Sequence, residues 1–196
     1  MFHVEQCERG VNMAWVASNA YLGLADMQNN AKIIWANFKS KGYTLNATAA
    51  MLGNMQTEST INPTIWENLT VDYTKGYGLT QWTPATKYIN WAGDNWENPD
   101  RELDRITWEI NNNEQWFRNP NAPIVDPPIT FMAFAHSTET PEILANYFLW
   151  YYEHPTNINQ PARATQARYW YDYLKNIVPV PLPKKSKLIY YLKRWW

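Results

Sequence analysis

The chain has 196 residues, a formal net charge of −1, 45% hydrophobic and 18% charged residues, and one cysteine. That length suits one domain with a sizeable core, and the near-neutral balance excludes the basic excess of a nucleic-acid binder, so no nucleic acid is expected as a specific ligand. Cys7 alone supports neither an intramolecular disulfide nor a thiolate zinc site, whereas 12 Trp and 13 Tyr point to rings shared among core, interface and any sugar-binding cleft.

The opening segment MFHVEQCERGVNMAW carries acids where a secretory leader carries Lys or Arg, and no apolar run comes after it. No stretch approaches the roughly 20 apolar residues of a membrane span. We therefore expect no signal peptide and no transmembrane segment, and read residues 1–24 as an N-terminal extension. His3, His136 and His154 lack ligand-like spacing, so no structural zinc is expected.

From 25 to 41, Ile33, Ile34 and Phe38 recur at helical spacing and Gly42 suits a C-cap. Asn46 is predicted to cap a second helix through TAAMLGNMQ, with Ala50, Met51 and Met55 facing inward. Glu58 then falls at or just past that helix's C-terminus. There the helix dipole disfavours negative charge, and burial would push its carboxyl pKa in the same upward direction. Residues 59–77 read as loops or a short β-hairpin region, with GLTQW after them at 78–82. Thr83 and Pro84 suit the N-cap and first position of another helix. Leu103, Ile106 and Ile110 share one face of a helix over 100–111, and NPNAPIVDPP at 119–128 is a proline-broken loop. FMAFAHS precedes two long helices, one entered at Pro141 behind a capping Ser or Thr and one at Pro161. Together these elements predict a mostly α domain over 25–177 with a small extended insert.

Residues 178–196 change character, a proline-spaced linker leading to a basic aromatic tail. Five of the 17 basic residues and none of the 18 acidic ones lie after Pro183. The tail suits an anchor on an anionic wall or membrane surface, a docking peptide, or the start of a further region.

Breaking a glycosidic bond requires a general acid that stays protonated near neutrality, which a glutamate in a partly apolar cleft supplies. Glu58 comes after the apolar turn of Met51, Leu52 and Met55, and no Lys or Arg lies within ten residues of it on either side. Most glutamates at helix ends are merely solvated, so these features alone do not assign a role.

Taken together, GNMQTESTINP and GYGLTQWTP resemble the phage tail lysozymes, the glycan-cleaving domain on the tail-knob tip of small podophages. WEINNNEQW, NQP and RYWYDYL look similar as well, and the resemblance runs from about 29 to 176. More distantly, the Glu-Ser pair followed by Gly-Leu-x-Gln is similar to goose-type lysozymes and lytic transglycosylases. The resemblance implies an α+β lysozyme-like fold, helical with a small β-hairpin insert beside the active-site cleft. It makes Glu58 the catalytic acid and Gly78, Leu79, Thr80 and Gln81 a strand lining the cleft. Gly78 would let the glycan approach the backbone, and Gln81 would hydrogen-bond sugar hydroxyl or acetamido groups. Tyr77, Trp82 and Trp66 stand near enough to stack on sugar faces.

Hydrolysis needs a second carboxylate, about 5 Å away as nucleophile or roughly 6.5–9.5 Å away as base. Asp72 is the best-placed candidate, ahead of Glu67 and Asp94. Without one, lytic transglycosylation by the muramic acid C6 hydroxyl is the alternative. The implied substrate is the β-1,4 bond of peptidoglycan glycan strands. The implied setting is a virion tail tip, with other tail proteins as partners through the C-terminal tail and Trp195 and Trp196 as anchors. An endolysin of the same chemistry, or an inactive glycan-binding tail-tip protein, are the rival readings.

Overall fold

The computed structural model describes residues 14–177, and among them there are seven α-helices and no strand. The helices are α1 (Leu24–Ser40), α2 (Leu45–Ser59), α3 (Thr86–Ala92), α4 (Pro99–Asn111), α5 (Phe131–Ala135), α6 (Pro141–Phe148) and α7 (Pro161–Leu174). None is long and apolar enough to cross a membrane.

Helix α2 is the axis of the fold. Ala47, Ala49, Ala50, Met51, Leu52 and Met55 are each completely buried, so the middle of the helix is covered on every side by α1, α5, α6 and α7. Small residues set how closely those neighbours come. A Cβ at Gly53 would stand 2.5 Å from the Arg163 carbonyl oxygen and 2.7 Å from the Ala167 nitrogen, so α7 can lie against α2 only because this side chain is absent.

Several caps obey the expected chemistry. Thr140 accepts from the Ile143 amide with Pro141 at the first position of α6, Pro161 opens α7, and the Asn98 side chain accepts from the Asp100 amide at the start of α4. Two starts differ. Thr44, not Asn46, caps α2, its hydroxyl accepting from the Ala47 amide at 3.1 Å, while Asn46 donates to the Glu139 carbonyl at 2.9 Å. Helix α3 begins at Thr86, and the Thr83 hydroxyl turns back to the Gln81 carbonyl at 3.0 Å instead of capping it.

The expected hairpin beside the cleft does not form. Among the described residues the only bridges are the isolated antiparallel contacts Trp66–Tyr77 and Tyr77–Trp82, and Gly78–Leu79–Thr80–Gln81 is a tight turn, not a strand. Between 65–67 and 76–78 backbone pairing stops at the Glu67 amide on the Gly76 carbonyl and the Gly78 amide on the Ile65 carbonyl, while neighbouring amides go to side chains: Trp66 donates to Asn19, Gly76 to Glu67 and Leu79 to Glu102. Gly78 (φ +79°) and Gln81 (φ +51°) carry the turn through left-handed conformations that a strand does not contain.

Residues 16–22 lie along this end of the domain. Asn30 exchanges hydrogen bonds with the Val16 backbone and donates to the Ile61 carbonyl, and Asn62 donates to the carbonyls of Ser18 and Ala20. At the far side α6 continues as a π-helical turn, Leu149–Glu153, closed by the His154 amide on the Leu149 carbonyl at 3.1 Å. The C-terminal tail, including Trp195 and Trp196, and Cys7 lie outside the described residues.

Candidate active site

Where the end of α2, the 78–81 turn, α4 and the π-helical turn meet, they enclose a cleft of about 470 Å³. Glu58 reaches it from the penultimate position of α2, with about a fifth of its side chain exposed. Its partner comes from far along the chain: the Arg163 Nη2, in the first turn of α7, forms an ion pair with Glu58 Oε1. The same guanidinium donates through Nε to Gln160 at 2.7 Å and through Nη1 to Asn54 Oδ1 at 3.2 Å, and it is almost wholly buried. Planar, fixed geometry of this kind suits arginine and not lysine. Glu58 therefore has a cationic partner that its sequence neighbourhood does not announce.

Ser59, directly after Glu58, is buried, and its hydroxyl lies 2.9 Å from the Leu79 carbonyl. This explains physically why the Glu-Ser and Gly-Leu-x-Gln motifs belong together. The turn is held from below by Glu102, which is 1% exposed and accepts from the Leu79 amide at 2.7 Å. A Cβ at Gly78 would fall 2.5 Å from Glu102 Oε2, so the glycine here admits a carboxyl group beneath the turn. Burial holds the Glu102 carboxyl well above the ordinary range, opposed only partly by the Leu79 amide.

Thr80, Gln81 and Trp82 line the cleft. The Gln81 amide nitrogen is engaged inside its own loop, donating to the carbonyls of Gly78 at 3.0 Å and Ile65 at 3.3 Å. Trp82 stacks on Tyr88 at 4.9 Å between centroids and points its indole N–H at Glu109. Tyr77 is 1% exposed and packed among Trp66, Tyr88 and Trp96, which places it in the core behind the turn. Leu79 is likewise fully buried.

Asp72 is not among the residues that line the cleft. It accepts from the Thr74 hydroxyl at 2.7 Å and the Thr74 amide at 2.9 Å, a local turn that holds its carboxyl below the usual range. The cleft instead gathers Glu67, Glu109 and Glu153 around Glu58. Glu109 is saturated with donors: Arg105 Nε at 2.8 Å, the Trp82 indole at 3.1 Å and the Tyr152 hydroxyl at 2.6 Å. Burial first, then the Glu109 charge, pushes the Tyr152 phenol far up, so it remains a donor. Glu153, last residue of the π-helical turn, has a carboxyl oxygen, Oε1, that is inaccessible and without a hydrogen-bond partner. Burial, followed by the charge of Glu58, holds its carboxyl well above the ordinary range, against the opposing pull of Arg163. Among the described residues no cluster of three or more His, Cys, Asp or Glu could hold a metal ion.

Sequence reasoning missed Glu153, Glu109 and Arg163. A signal existed for the first: in LWYYEHP a lone acid interrupts an aromatic run, and an acid so placed is either solvated or functional.

A buried central helix that delivers a glutamate into a cleft, with an interlocked turn over it, defines a lysozyme-like helical domain. The chain belongs to the phage tail lysozyme family, whose model matches residues 29–174. It is 49% identical over 162 residues, 81% of its own length, to morphogenesis protein 1 of Bacillus phage B103. It spans 42% of that relative's length.

Proposed function

We propose that this domain cleaves the glycan strands of bacterial peptidoglycan at the β-1,4 bond between N-acetylmuramic acid and N-acetylglucosamine, with Glu58 as general acid. The observation that carries this reading is the position of Glu58, on the last turn of the central helix and facing a cleft that gathers three further glutamates. General acid catalysis needs a carboxyl group held where a leaving oxygen can reach it, and no cofactor. Thr80, Gln81 and Trp82 are the wall against which the strand would lie, with Gly78, Leu79 and Tyr77 supporting it from behind. The second carboxyl group is drawn from Asp72 or from the cleft glutamates, and the lining of the cleft supports the glutamates.

The family and the morphogenesis-protein relative support a virion component that opens the host wall locally during DNA entry, with other tail proteins as its partners. Incubation of the protein and its Glu58→Gln variant with purified peptidoglycan, followed by mass spectrometry of released muropeptides, tests the reading. Reducing muramic acid ends identify a muramidase, and 1,6-anhydromuramic ends a lytic transglycosylase. Equal silence of both proteins on walls from several bacteria replaces this reading with a glycan-binding structural tail protein.

A further inference from the structure

The four carboxyl groups of the cleft differ in what they are bonded to. Glu58 pairs with Arg163, Glu109 is held by Arg105, Trp82 and Tyr152, and Glu67 Oε2 accepts from the Gly76 amide at 3.0 Å. Glu153 alone of these four places an oxygen in a hidden position with no donor. Glu153 is only half-buried, but the charge on an oxygen so placed loses its hydration there and gains no hydrogen bond, a cost that the neutral acid reduces. The charges that face it come from three elements. Glu58 on α2 and Glu109 on α4 both disfavour a second negative charge, and Arg163 on α7 favours one but is already committed to Glu58, Asn54 and Gln160. Glu67 and Lys87 line the same cleft.

Glu58 and Glu153 line the same cleft, and Arg163 bears on both; two carboxyl groups that share one site and one cation favour one ionised and one neutral partner. We propose that Glu153 stores, in the resting protein, the proton that Glu58 delivers to the glycosidic oxygen, so that the two form a single acid–base pair. The proposal rests on the glycan-cleavage reading above.

The proton count closes around the cycle. No hydrogen bond joins the two carboxyl groups at rest, so Glu153 passes its proton to the Glu58 carboxylate through water in the cleft that both line. Glu58 then protonates the bridging oxygen as the bond from sugar C1 to that oxygen breaks, and the leaving strand departs as an alcohol with the bonding electron pair. Water, or a hydroxyl of the same sugar, attacks C1, and the proton it sheds returns to the Glu58–Glu153 pair. Glu153 thus acts through Glu58 and is a positioning residue, with no contact to the reacting atoms required of it.

The test is the pH dependence of muropeptide release by the wild type, Glu153→Gln and Glu58→Gln. Glutamine at 153 matches the neutral acid in shape and removes its exchangeable proton. In Glu153→Gln we expect a loss of roughly tenfold or more at neutral pH that narrows as pH falls, because solvent then supplies the proton that Glu153 held. A loss by one constant factor at every pH makes Glu153 structural and overturns the proposal. The second measurement is infrared titration of the carboxylic acid carbonyl band, taken as wild type minus Glu153→Gln to remove the contribution of Glu102. A protonated band at neutral pH that moves to lower pH in Glu58→Gln is expected, and its absence overturns the proposal even if cleavage is intact. If Glu153→Gln does not fold, the wild-type and Glu58→Gln titrations carry the same decision. Silence of the wild type on every wall sinks the cleavage reading itself, an outcome distinct from either of these.

Discussion

The Ser59 hydroxyl sits 2.9 Å from the carbonyl of Leu79 and 2.9 Å from that of Met55, so one O–H serves both the end of the central helix and the turn facing it. Its neighbour Glu58 inherits its position from this junction. Ser59→Ala leaves the Leu79 carbonyl buried without that donor, which costs on the order of 1–3 kcal/mol. Urea unfolding should show this loss, and peptidoglycan cleavage should fall further than global stability alone accounts for.

Gly53→Ala tests the contact between α2 and α7. Alanine gains about 1 kcal/mol of helix propensity over glycine, but the added methyl meets two backbone atoms at 2.5 and 2.7 Å, and neither can turn aside as a side chain would. Overpacking of about 1–3 kcal/mol opposes the gain. The expected outcome is a net fall in melting temperature together with weakened activity, because the displaced helix carries Arg163.

Glu102 gives a signature in pH. Its folded-state carboxyl is held well above the ordinary value of 4.5, so the folded protein binds a proton that the unfolded chain has released. The stability this contributes is complete below the ordinary value and declines as pH rises toward the folded-state value. Glu102→Gln keeps an acceptor for the Leu79 amide and removes the titration. Denaturant unfolding from about pH 4 to about pH 8 should therefore show a shallower decline in the variant, the remaining slope including the share carried by Glu153.

Asp72→Asn separates a loop role from a chemical one. Asparagine retains the side-chain oxygen that meets Thr74, so the turn persists. Cleavage should stay within about tenfold of wild type, whereas removal of an acid–base group costs roughly 100-fold or more. A loss of the larger size would return Asp72 to the site.

Local chemistry made the helical frame legible in the sequence. The spacing of Leu103, Ile106 and Ile110 was enough to place α4, the Thr140–Pro141 start placed α6, and Pro161 marked α7. Glu58 was legible through its motif. Tertiary partners decided the rest: Asn46 is drawn to the Glu139 carbonyl, leaving the cap to Thr44, and the hairpin goes no further than two backbone hydrogen bonds, the amides of Trp66, Gly76 and Leu79 turning to the side chains of Asn19, Glu67 and Glu102. The Arg163 contact spans 105 residues and carries no local pattern. Aromatic residues were ambiguous for the same reason, since nothing beside Tyr77 in the chain distinguishes a sugar platform from a ring wedged between Trp66 and Tyr88.

The π-helical turn at Leu149–Glu153 makes the site sensitive to chain length at one particular spot. A regular α-helix advances about 100° per residue, so removing one residue from this turn would restore ordinary helical phasing and rotate the residues beyond the deletion by about that angle. Tyr152 could then no longer face Glu109 while Glu153 faces Glu58. The shortened helix would be more regular and the cleft would lose a carboxyl group, so insertions and deletions that the surface loops tolerate should be excluded from these five residues.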